Sequence, residues 1–263
     1  MRGERVGFVP TMGSLHEGHL SLVRRARKEC DRVVVSIFVN PLQFGPKEDY
    51  KRYPRDFGAD RALLRKEKVD LLFSPSLKTM VPDLFATSVH VNRLSNALCG
   101  PFRPGHFRGV TTTCTKLFHL VDPDIVYFGQ KDFQQTRILD WMLRDLNFNI
   151  QMKVLPTVRE KDGLAMSSRN RALSRQERRR ALLLFHALFL GKVMIHRGEK
   201  RPARIIFRMR LLLRQKGLRI DYVSIVNPRT LESVSGIHPP VLLAVAVRVG
   251  KTRLIDNVLI ERI

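Results

Sequence analysis

Short apolar runs alternate with helix-like segments through the first half of the chain, and this alternation constrains the fold more than any other feature. Four runs are predicted to be strands, namely Val6–Val9, Val33–Val39, Asp70–Phe73 and Ile125–Phe128. Helical patterns follow them near His19–Lys28, Asp56–Lys68, Val110–Val121 and Asp132–Leu146. This order predicts right-handed βαβ crossovers and a doubly wound, Rossmann-like parallel sheet, an α/β fold.

The loops after the predicted strands give the first functional indication. Ligands of doubly wound sheets bind beyond the carboxyl ends of the strands. Pro10–Gly18, Asn40–Tyr53 and Gly129–Asp132 each follow a strand. We therefore expect these three loops to open onto one crevice.

The second part of the chain has a different pattern, which predicts a smaller α+β domain. Ser174 and Glu177 fit a capping box that opens a helix running to about Leu190. Pro202 and Gly217 bracket a second helix. Three strands, expected to be antiparallel, follow at Asp221–Val226, Val241–Val249 and Arg253–Ile260. The expected domains are a Rossmann-like domain over residues 1–157 and a C-terminal lid domain, with a short antiparallel sheet, over residues 158–263.

Composition excludes several classes of protein. The apolar stretches Ala181–Leu190 and Val241–Val247 are too short to span a membrane, and the first residues lack the apolar segment of a secretion signal. The 3 cysteines are too few and scattered for a disulfide framework. We expect a soluble cytoplasmic protein without a membrane partner. Its 47 basic and 24 acidic residues give a net charge of +23, which favours anionic ligands.

The segment PTMGSLHEGH, Pro10–His19, is the sharpest local motif. His16 and His19 are three residues apart, so both lie on one face of the predicted first helical turn, whose amides suit a phosphate. Two alternatives stay open at this point. The histidines can be ordinary surface residues at a helix start, or a metal-binding pair, although a third ligand at suitable spacing is not evident.

A second motif, Met166-Ser-Ser-Arg169, follows a glycine turn and can form a loop that closes over a triphosphate. Such a loop alone indicates little. Paired with the HxGH element, however, it resembles the HIGH and KMSKS signatures of enzymes that attack the α-phosphate of ATP.

Six motifs extend this resemblance over essentially the whole chain. They are PTMGSLHEGH (Pro10–His19), SIFVNPLQF (Ser36–Phe44), YPR (Tyr53–Arg55), RPGHFRGV (Arg103–Val110), PDIVYFGQKDFQQ (Pro123–Gln135) and DGLAMSSRN (Asp162–Asn170). Their order and spacing resemble those of the pantoate–β-alanine ligase family, and LIDN (Leu254–Asn257) fits its C-terminal domain. The resemblance implies ATP-dependent condensation of (R)-pantoate with β-alanine through a pantoyl adenylate. It also implies Mg²⁺ and a homodimer.

The resemblance assigns roles to residues that match the family motifs. ATP-binding residues would be Met12, Gly13, Ser14, Leu15, His16, Glu17, Gly18, His19, Gly129, Gln130, Lys131, Asp132, Val158, Met166, Ser167, Ser168 and Arg169. Gln43 and Gln135 would bind pantoate, and Gln43 would also lie where β-alanine enters. His19 would be the proton donor, and His16, Lys131 and Arg169 would assist catalysis.

These residue types suit the chemistry. Pantoate brings a carboxylate nucleophile, so the barrier comes from repulsion between anions and from charge that builds on the phosphates. Cations, histidines and a metal ion reduce this repulsion and stabilise the developing charge. Glutamine amides bind hydroxyls and carboxylates without adding charge. β-Alanine must attack as a neutral amine, and the sequence offers no obvious base, so a departing phosphate oxygen or solvent can serve.

Other interpretations of individual residues stay open. Lys131 and Asp132 can be only an ion pair at a helix start, and Asp49 is a weak candidate for a metal ligand. A glycine-punctuated loop carries a basic group that can be either a substrate-side cluster or a solvated turn: Arg103, His106 and Arg108.

Three departures from the family pattern support rival hypotheses. The family has a short strand and a helix before the strand at Val6–Val9, and an acid where Gln130 stands, so a catalytically dead relative is one alternative. The basic segments Arg171–Arg180 and Arg197–Arg219 could form a nucleic-acid-binding face. Aromatic residues are few there and no nucleic-acid motif is found, so solvated helix faces are favoured and nucleic acid is not the expected partner.

Overall fold

A five-stranded parallel sheet organises the first part of the computed structural model, which describes residues 3–46 and 48–262. Its strands are β1 (Val6–Thr11), β2 (Arg32–Ile37), β3 (Leu71–Phe73), β4 (Ile125–Gly129) and β5 (Gln151–Leu155). The sheet order is β3-β2-β1-β4-β5, so the connections change direction between β1 and β4. This confirms the predicted doubly wound sheet, whose topology places the ligand site at the carboxyl ends of these strands.

Five helices accompany the parallel strands. They are α1 (Glu17–Glu29), α2 (Phe57–Lys66), α3 (Leu77–Met80), α4 (His106–Val121) and α5 (Phe133–Asp145). The buried faces of α1 and α2 contribute Val23 and Leu64 to an apolar cluster that includes Val9 and Val35 from the central strands. Hydrophobic burial therefore fixes the sheet and leaves its loops to carry polar groups.

The second part contains an antiparallel sheet and two helices, as the sequence predicts. The helices are α6 (Arg175–His196) and α7 (Pro202–Leu213), and the strands are β6 (Leu218–Val226), β7 (Val241–Val249) and β8 (Thr252–Ile260). The strands pair in the order β6-β7-β8. Strand β7 is buried along most of its length, because it is the central strand and packs in the same cluster as α6 and α7.

The chain forms two compact units that interleave along the sequence. The first comprises Met1–Asn96, Arg103–Gln130 and Gln135–Thr157, and the second comprises Ala97–Phe102, Lys131–Gln134 and Val158–Ile263. Two short segments, one before α4 and one at the start of α5, thus belong to the second unit.

Helix-interior glycines explain two predicted boundaries that were wrong. Helix α6 continues past Leu190 to His196, because Gly191 allows close packing: a Cβ there would lie 2.6 Å from Cδ2 of Leu243. Similarly, α4 begins at His106 rather than Val110 and includes a glycine. A glycine within a helix costs some helix propensity but permits close approach of another element.

A further boundary differs, and the parallel sheet has one strand more than the sequence predicts. Helix α7 ends at Leu213, and Gly217, at φ +88°, lies in the turn before β6 rather than at the helix end. Strand β5 was not predicted, since Gln151–Leu155 includes polar and partly exposed residues at a sheet edge.

An acidic side chain links α1 to β4 and β5 in the first unit. Glu29 Oε2 accepts hydrogen bonds from Lys153 Nζ at 2.9 Å and from the Tyr127 hydroxyl at 2.8 Å, and Arg25 Nε lies 2.6 Å from Oε1. The hydrogen bond from Lys153, assisted by those from Tyr127 and Arg25, lowers the pKa of Glu29 to about 2. The ionised carboxylate therefore stabilises this edge of the sheet.

Among the residues that the structure describes, no helix combines the length and apolar character needed to cross a bilayer.

Candidate active site

The chain turns sharply where β1 ends. Gly13 has φ +77° and Ser14 has φ +52°, so two consecutive residues adopt left-handed conformations. Thr11 supports this turn: its hydroxyl donates to the Ser36 carbonyl at 2.7 Å and accepts the Gly13 amide at 3.1 Å. Glycine at position 13 is required both by its φ and by space, because a Cβ would lie 2.9 Å from the Asp60 carboxylate.

Asp60 on α2 fixes the same turn and was not identified from the sequence. Its carboxylate is buried and accepts the backbone amides of Ser14 and Leu15 at 2.7 Å each. Successive backbone amides in a tight turn can point together at an anion. Here a protein carboxylate takes the place of that anion, so these two amides serve to shape the turn. Asp60 is one of three acidic residues in the predicted helix Asp56–Lys68, and no signal in the sequence marks it for this role.

The two histidines of the HxGH motif meet at the start of α1. Their ring centroids are 4.1 Å apart, and the His16 backbone N–H donates to Nδ1 of His19 at 3.3 Å. Because Nδ1 of His19 accepts this hydrogen bond, the neutral ring carries its proton on Nε2. The motif therefore presents a hydrogen-bond donor beside the positive end of a helix, which suits a phosphate oxygen.

The loop after β2 brings Gln43 to the loop after β1. Gln43 Nε2 donates to the thioether sulfur of Met12 at 3.1 Å, and Gln43 Oε1 accepts from Asn40 Nδ2 at 3.0 Å. Asn40 is itself buried and also donates to the Gly109 carbonyl at 3.0 Å. Two residues predicted to bind different substrates, Met12 and Gln43, thus lie in contact, and both ends of the Gln43 amide are oriented.

The basic group before and within α4 is organised rather than solvated. Arg103 forms a two-pronged ion pair with Glu48, with Nη2 and Nε lying 2.6 and 2.7 Å from the carboxylate oxygens. Its Nη1 lies 2.9 Å from Nε2 of His106, which is buried. Arg108, by contrast, is exposed. The sequence allows two interpretations of this group, and the contacts separate its members.

In the second unit, Lys131 is held by its backbone. Asn257 Nδ2 on β8 donates to the Lys131 carbonyl at 2.9 Å. The neighbouring Asp256 is buried and makes a two-pronged ion pair with Arg159, at 2.7 and 3.0 Å. The Lys131 ammonium lies 3.9 Å from the carboxylate of half-exposed Asp132, so the ion pair allowed by the sequence is present, but it is long.

The Met166–Arg169 segment also lies in the second unit, and part of it is a short 3-10 helix, Ser168–Ala172, rather than an open loop. The Met166 amide donates to the Val158 carbonyl at 3.0 Å, which brings together two predicted ATP-binding residues. Ser167 caps the short helix through its hydroxyl, which accepts the Arg169 amide at 3.3 Å. These contacts fix the backbone from which the Arg169 side chain extends.

Four further predicted residues lie in the first unit, at the end of a strand, at short 3-10 helices and on α5. Gly129 ends β4, and a Cβ at this position would meet nothing within 4 Å, so the glycine is not required by protein packing. Gln130 follows it in a short 3-10 helix, and Gln135 is half-buried on α5. Asp49 precedes another short 3-10 helix. Within residues 3–46 and 48–262, no three His, Cys, Asp or Glu side chains cluster as a metal site.

Comparison with known proteins supplies the family. The family model described as pantoate-beta-alanine ligase matches residues 1–259. The chain belongs to the pantoate–β-alanine ligase family. It is 57% identical to a pantothenate synthetase of Thermotoga neapolitana, over 97% of this chain and 91% of that protein. These matches confirm the resemblance inferred from the motifs.

Solved structures of pantoate–β-alanine ligases confirm the fold. A pantothenate synthetase from Thermus thermophilus matches with a TM-score of 0.96 and 48% identity, covering 98% of this chain and 94% of that one. A pantoate–β-alanine ligase from Francisella tularensis, solved as a complex with beta-gamma ATP and beta-alanine, matches with a TM-score of 0.81 and 33% identity, covering 98% and 91%.

Proposed function

We propose that this pantoate–β-alanine ligase family member joins (R)-pantoate to β-alanine with the consumption of ATP, and releases pantothenate, AMP and diphosphate. The observation that carries the proposal is the oriented amide of Gln43 against Met12, at the carboxyl ends of β2 and β1. A neutral, oriented amide beside a histidine-bearing helix start suits a carboxylate substrate next to a triphosphate.

In the first step, a carboxylate oxygen of pantoate attacks the α-phosphorus of ATP. A phosphorus–oxygen bond forms to pantoate, and the bond to the leaving diphosphate breaks, so no proton needs to be removed from the nucleophile. The cost is repulsion between anions and charge on the leaving group. Lys131 and Arg169 supply positive charge, and Nε2–H of His19, beside His16, donates to a phosphate oxygen; each such preorganised donor lowers the barrier.

Pantoate itself is bound by amides rather than by cations. Gln43 and Gln135 are the proposed ligands, and their side chains donate to the carboxylate and accept from the hydroxyls. A cation at the same place would hold the carboxylate more tightly in the ground state and weaken it as a nucleophile. The fixed orientation of the Gln43 amide supports its part in this assignment.

In the second step, the neutral amine of β-alanine attacks the acyl carbon of the pantoyl adenylate, and AMP leaves with the pair of electrons of the acyl–oxygen bond. The amine proton passes to a phosphate oxygen of the departing AMP or to solvent. Gln43 lies where β-alanine is proposed to enter, so the same loop serves both pantoate and β-alanine.

Magnesium is proposed to arrive as Mg·ATP. Mg²⁺ in nucleotide sites is held largely by phosphates, with one or two carboxylates. The described residues fit this arrangement better than a protein-only site, since they contain no cluster of three or more metal-binding side chains. No protein ligand is assigned to the metal, and Asp49 stays a weak candidate. We further propose, from the family resemblance, that the enzyme is a homodimer. From composition and sequence pattern, we propose that it is cytoplasmic, that residues 1–157 bind ATP and pantoate, and that residues 158–263 form a lid.

Diphosphate release from Mg·ATP tests the proposal. Release should require pantoate, and AMP and pantothenate should accumulate only when β-alanine is added. Lys131→Ala should slow release by about 10²-fold, the typical loss for one transition-state donor. Lys192→Ala, at an exposed position on α6, is the matched control and should be unchanged. Release without pantoate, or its absence in a folded protein, would overturn the proposed reaction.

A further inference from the structure

The backbone carbonyl of Gln43 is held from outside its own loop. His106 Nδ1 lies 2.8 Å from this oxygen, and Arg103 Nη2 donates to it at 3.2 Å. Both side chains come from the segment that opens α4, about 60 residues further along the chain. Gln43 is thus fixed at three points, since Asn40 and Met12 bind its side-chain amide.

The hydrogen bonds determine which nitrogen of His106 carries the proton. Arginine is always a donor, so Arg103 Nη1 donates to Nε2 of His106 at 2.9 Å. The proton of the neutral ring therefore lies on Nδ1, where it is donated to the Gln43 carbonyl. The ring acts as a directional bridge from Arg103 to the backbone of the loop.

Arg103 is not arranged to bind a substrate carboxylate directly. Its Nε and Nη2 are used by Glu48, its Nη1 by His106, and its side chain is only 12% exposed. The ion pair with Glu48 also offsets its charge. Arg103 is therefore equipped to orient His106 and the loop, and the substrate-side interpretation does not fit the contacts of Arg103.

Gly109 brings the two segments close enough for these contacts. A Cβ at position 109 would overlap the Leu42 backbone carbonyl and would lie 2.6 Å from the Gln43 backbone nitrogen. Helix α4 therefore packs with its backbone against the Gln43 loop, and only glycine permits that distance.

We propose that Arg103 and His106 are positioning residues for pantoate binding, which act by holding the backbone carbonyl of Gln43. The inference rests on the proposed role of Gln43 as a pantoate ligand. Hydrogen bonds to the backbone carbonyl fix the position of Gln43 in its loop, and the contacts of the side-chain amide fix the side-chain conformation. Together they present a preorganised amide, so substrate binding does not have to order this side chain.

Two amide variants of His106 separate positioning from general stability. In His106→Asn, the side-chain amide lies near the former Nδ1 and can still donate to the Gln43 carbonyl. In His106→Gln, the amide lies near the former Nε2, and this donor is lost. We expect the KM for pantoate to rise about tenfold in His106→Gln and less than about threefold in His106→Asn, with the KM for ATP nearly unchanged in both.

A double-mutant cycle with Gln43→Ala identifies the route of the effect. If His106 acts through Gln43, the His106→Gln change should add less than about twofold to the pantoate KM in the Gln43→Ala background. An equal factor in both backgrounds overturns the positioning role. Equal effects of the two His106 variants also overturn it. An unchanged pantoate KM in Gln43→Ala alone refutes the proposed role of Gln43 as a pantoate ligand, on which the positioning role of Arg103 and His106 rests.

A control substitution in the same segment tests for a general effect on the fold. Arg108→Gln, at an exposed position two residues from His106, should leave the KM values for pantoate, ATP and β-alanine unchanged. Should His106→Gln not fold, as judged by its melting curve, Arg103→Lys provides the second test. It retains the charge but loses the planar fork, and should raise the pantoate KM selectively; a uniform loss of activity would contradict the proposal.

Discussion

Replacing Asp60 tests whether one buried carboxylate shapes the turn between β1 and α1. Asp60 is 3% exposed and accepts two backbone amides, those of Ser14 and Leu15, at 2.7 Å each. Leaving one buried donor without a partner costs about 1–3 kcal/mol. Asp60→Ala leaves two such donors, so it should lower the free energy of unfolding by about 2–6 kcal/mol. Asp60→Asn retains one acceptor oxygen and should cost about half as much.

Equilibrium urea unfolding measures this cost, and Asp56→Asn provides the control beside the same helix. Asp56 is exposed and caps α2 by accepting the Ala59 amide at 3.0 Å, a role that asparagine fills almost equally well. The control should therefore change the free energy of unfolding by less than about 0.5 kcal/mol. A cost below about 1 kcal/mol for Asp60→Ala, at an unchanged m-value, would refute the argument. The KM for ATP should rise in Asp60→Ala, because the turn precedes the histidine pair.

Three further changes probe other contacts. Gly109→Ala should raise the pantoate KM at least about tenfold, because the new methyl group displaces the loop after β2; an unchanged KM in steady-state kinetics would contradict the close packing. Asn257→Ala removes the donor to the Lys131 carbonyl and should lower kcat about tenfold; because Asn257 is buried, the melting temperature should also fall by a few degrees. Glu29→Gln should reduce the loss of unfolding free energy between about pH 5 and pH 2. The pKa of Glu29 is lowered to about 2, chiefly by a hydrogen bond from Lys153, so its contribution in the wild type is complete above about pH 5 and is progressively lost toward pH 2. Glu232→Gln, at an exposed site, is the control, and urea unfolding at about pH 5 and pH 2 should match the wild type.

The fold was largely predictable because its strongest signals are local. Buried parallel strands such as Arg32–Ile37 are almost continuously apolar, and capping residues such as Ser174 mark helix starts. The errors arose where tertiary packing overrides those signals. Glycine is typical of helix ends, but Gly191 lies inside α6 because the Leu243 side chain occupies the space that a Cβ would need. Strand β5 carries polar residues because it is an edge strand with limited burial.

The site was predictable only in part, for a different reason. Motifs indicate residues whose side chains the proposed chemistry would use, such as His19 and Lys131, because reactive residue types stand out at fixed spacing. Residues that hold those motifs in place are chemically ordinary. Asp60 resembles any helix carboxylate in the sequence, and its contact with the β1–α1 turn spans about 46 residues. Nothing local distinguishes it from Asp56.

The same arrangement occurs separately in each unit, which explains why side-chain motifs understate what the site requires. In the first unit, the Gln43 carbonyl is held by residues about 60 positions away; in the second, the Lys131 carbonyl is held by Asn257, 126 residues away. A hydrogen bond to a backbone carbonyl fixes the residue without using its side chain, which stays available for substrate. Substituting a residue that binds such a carbonyl should therefore change the substrate affinity or the reaction rate even when the motif itself is intact. Loss of function in this chain can thus arise at positions, such as Asn257 and His106, whose own side chains need not touch any reacting atom.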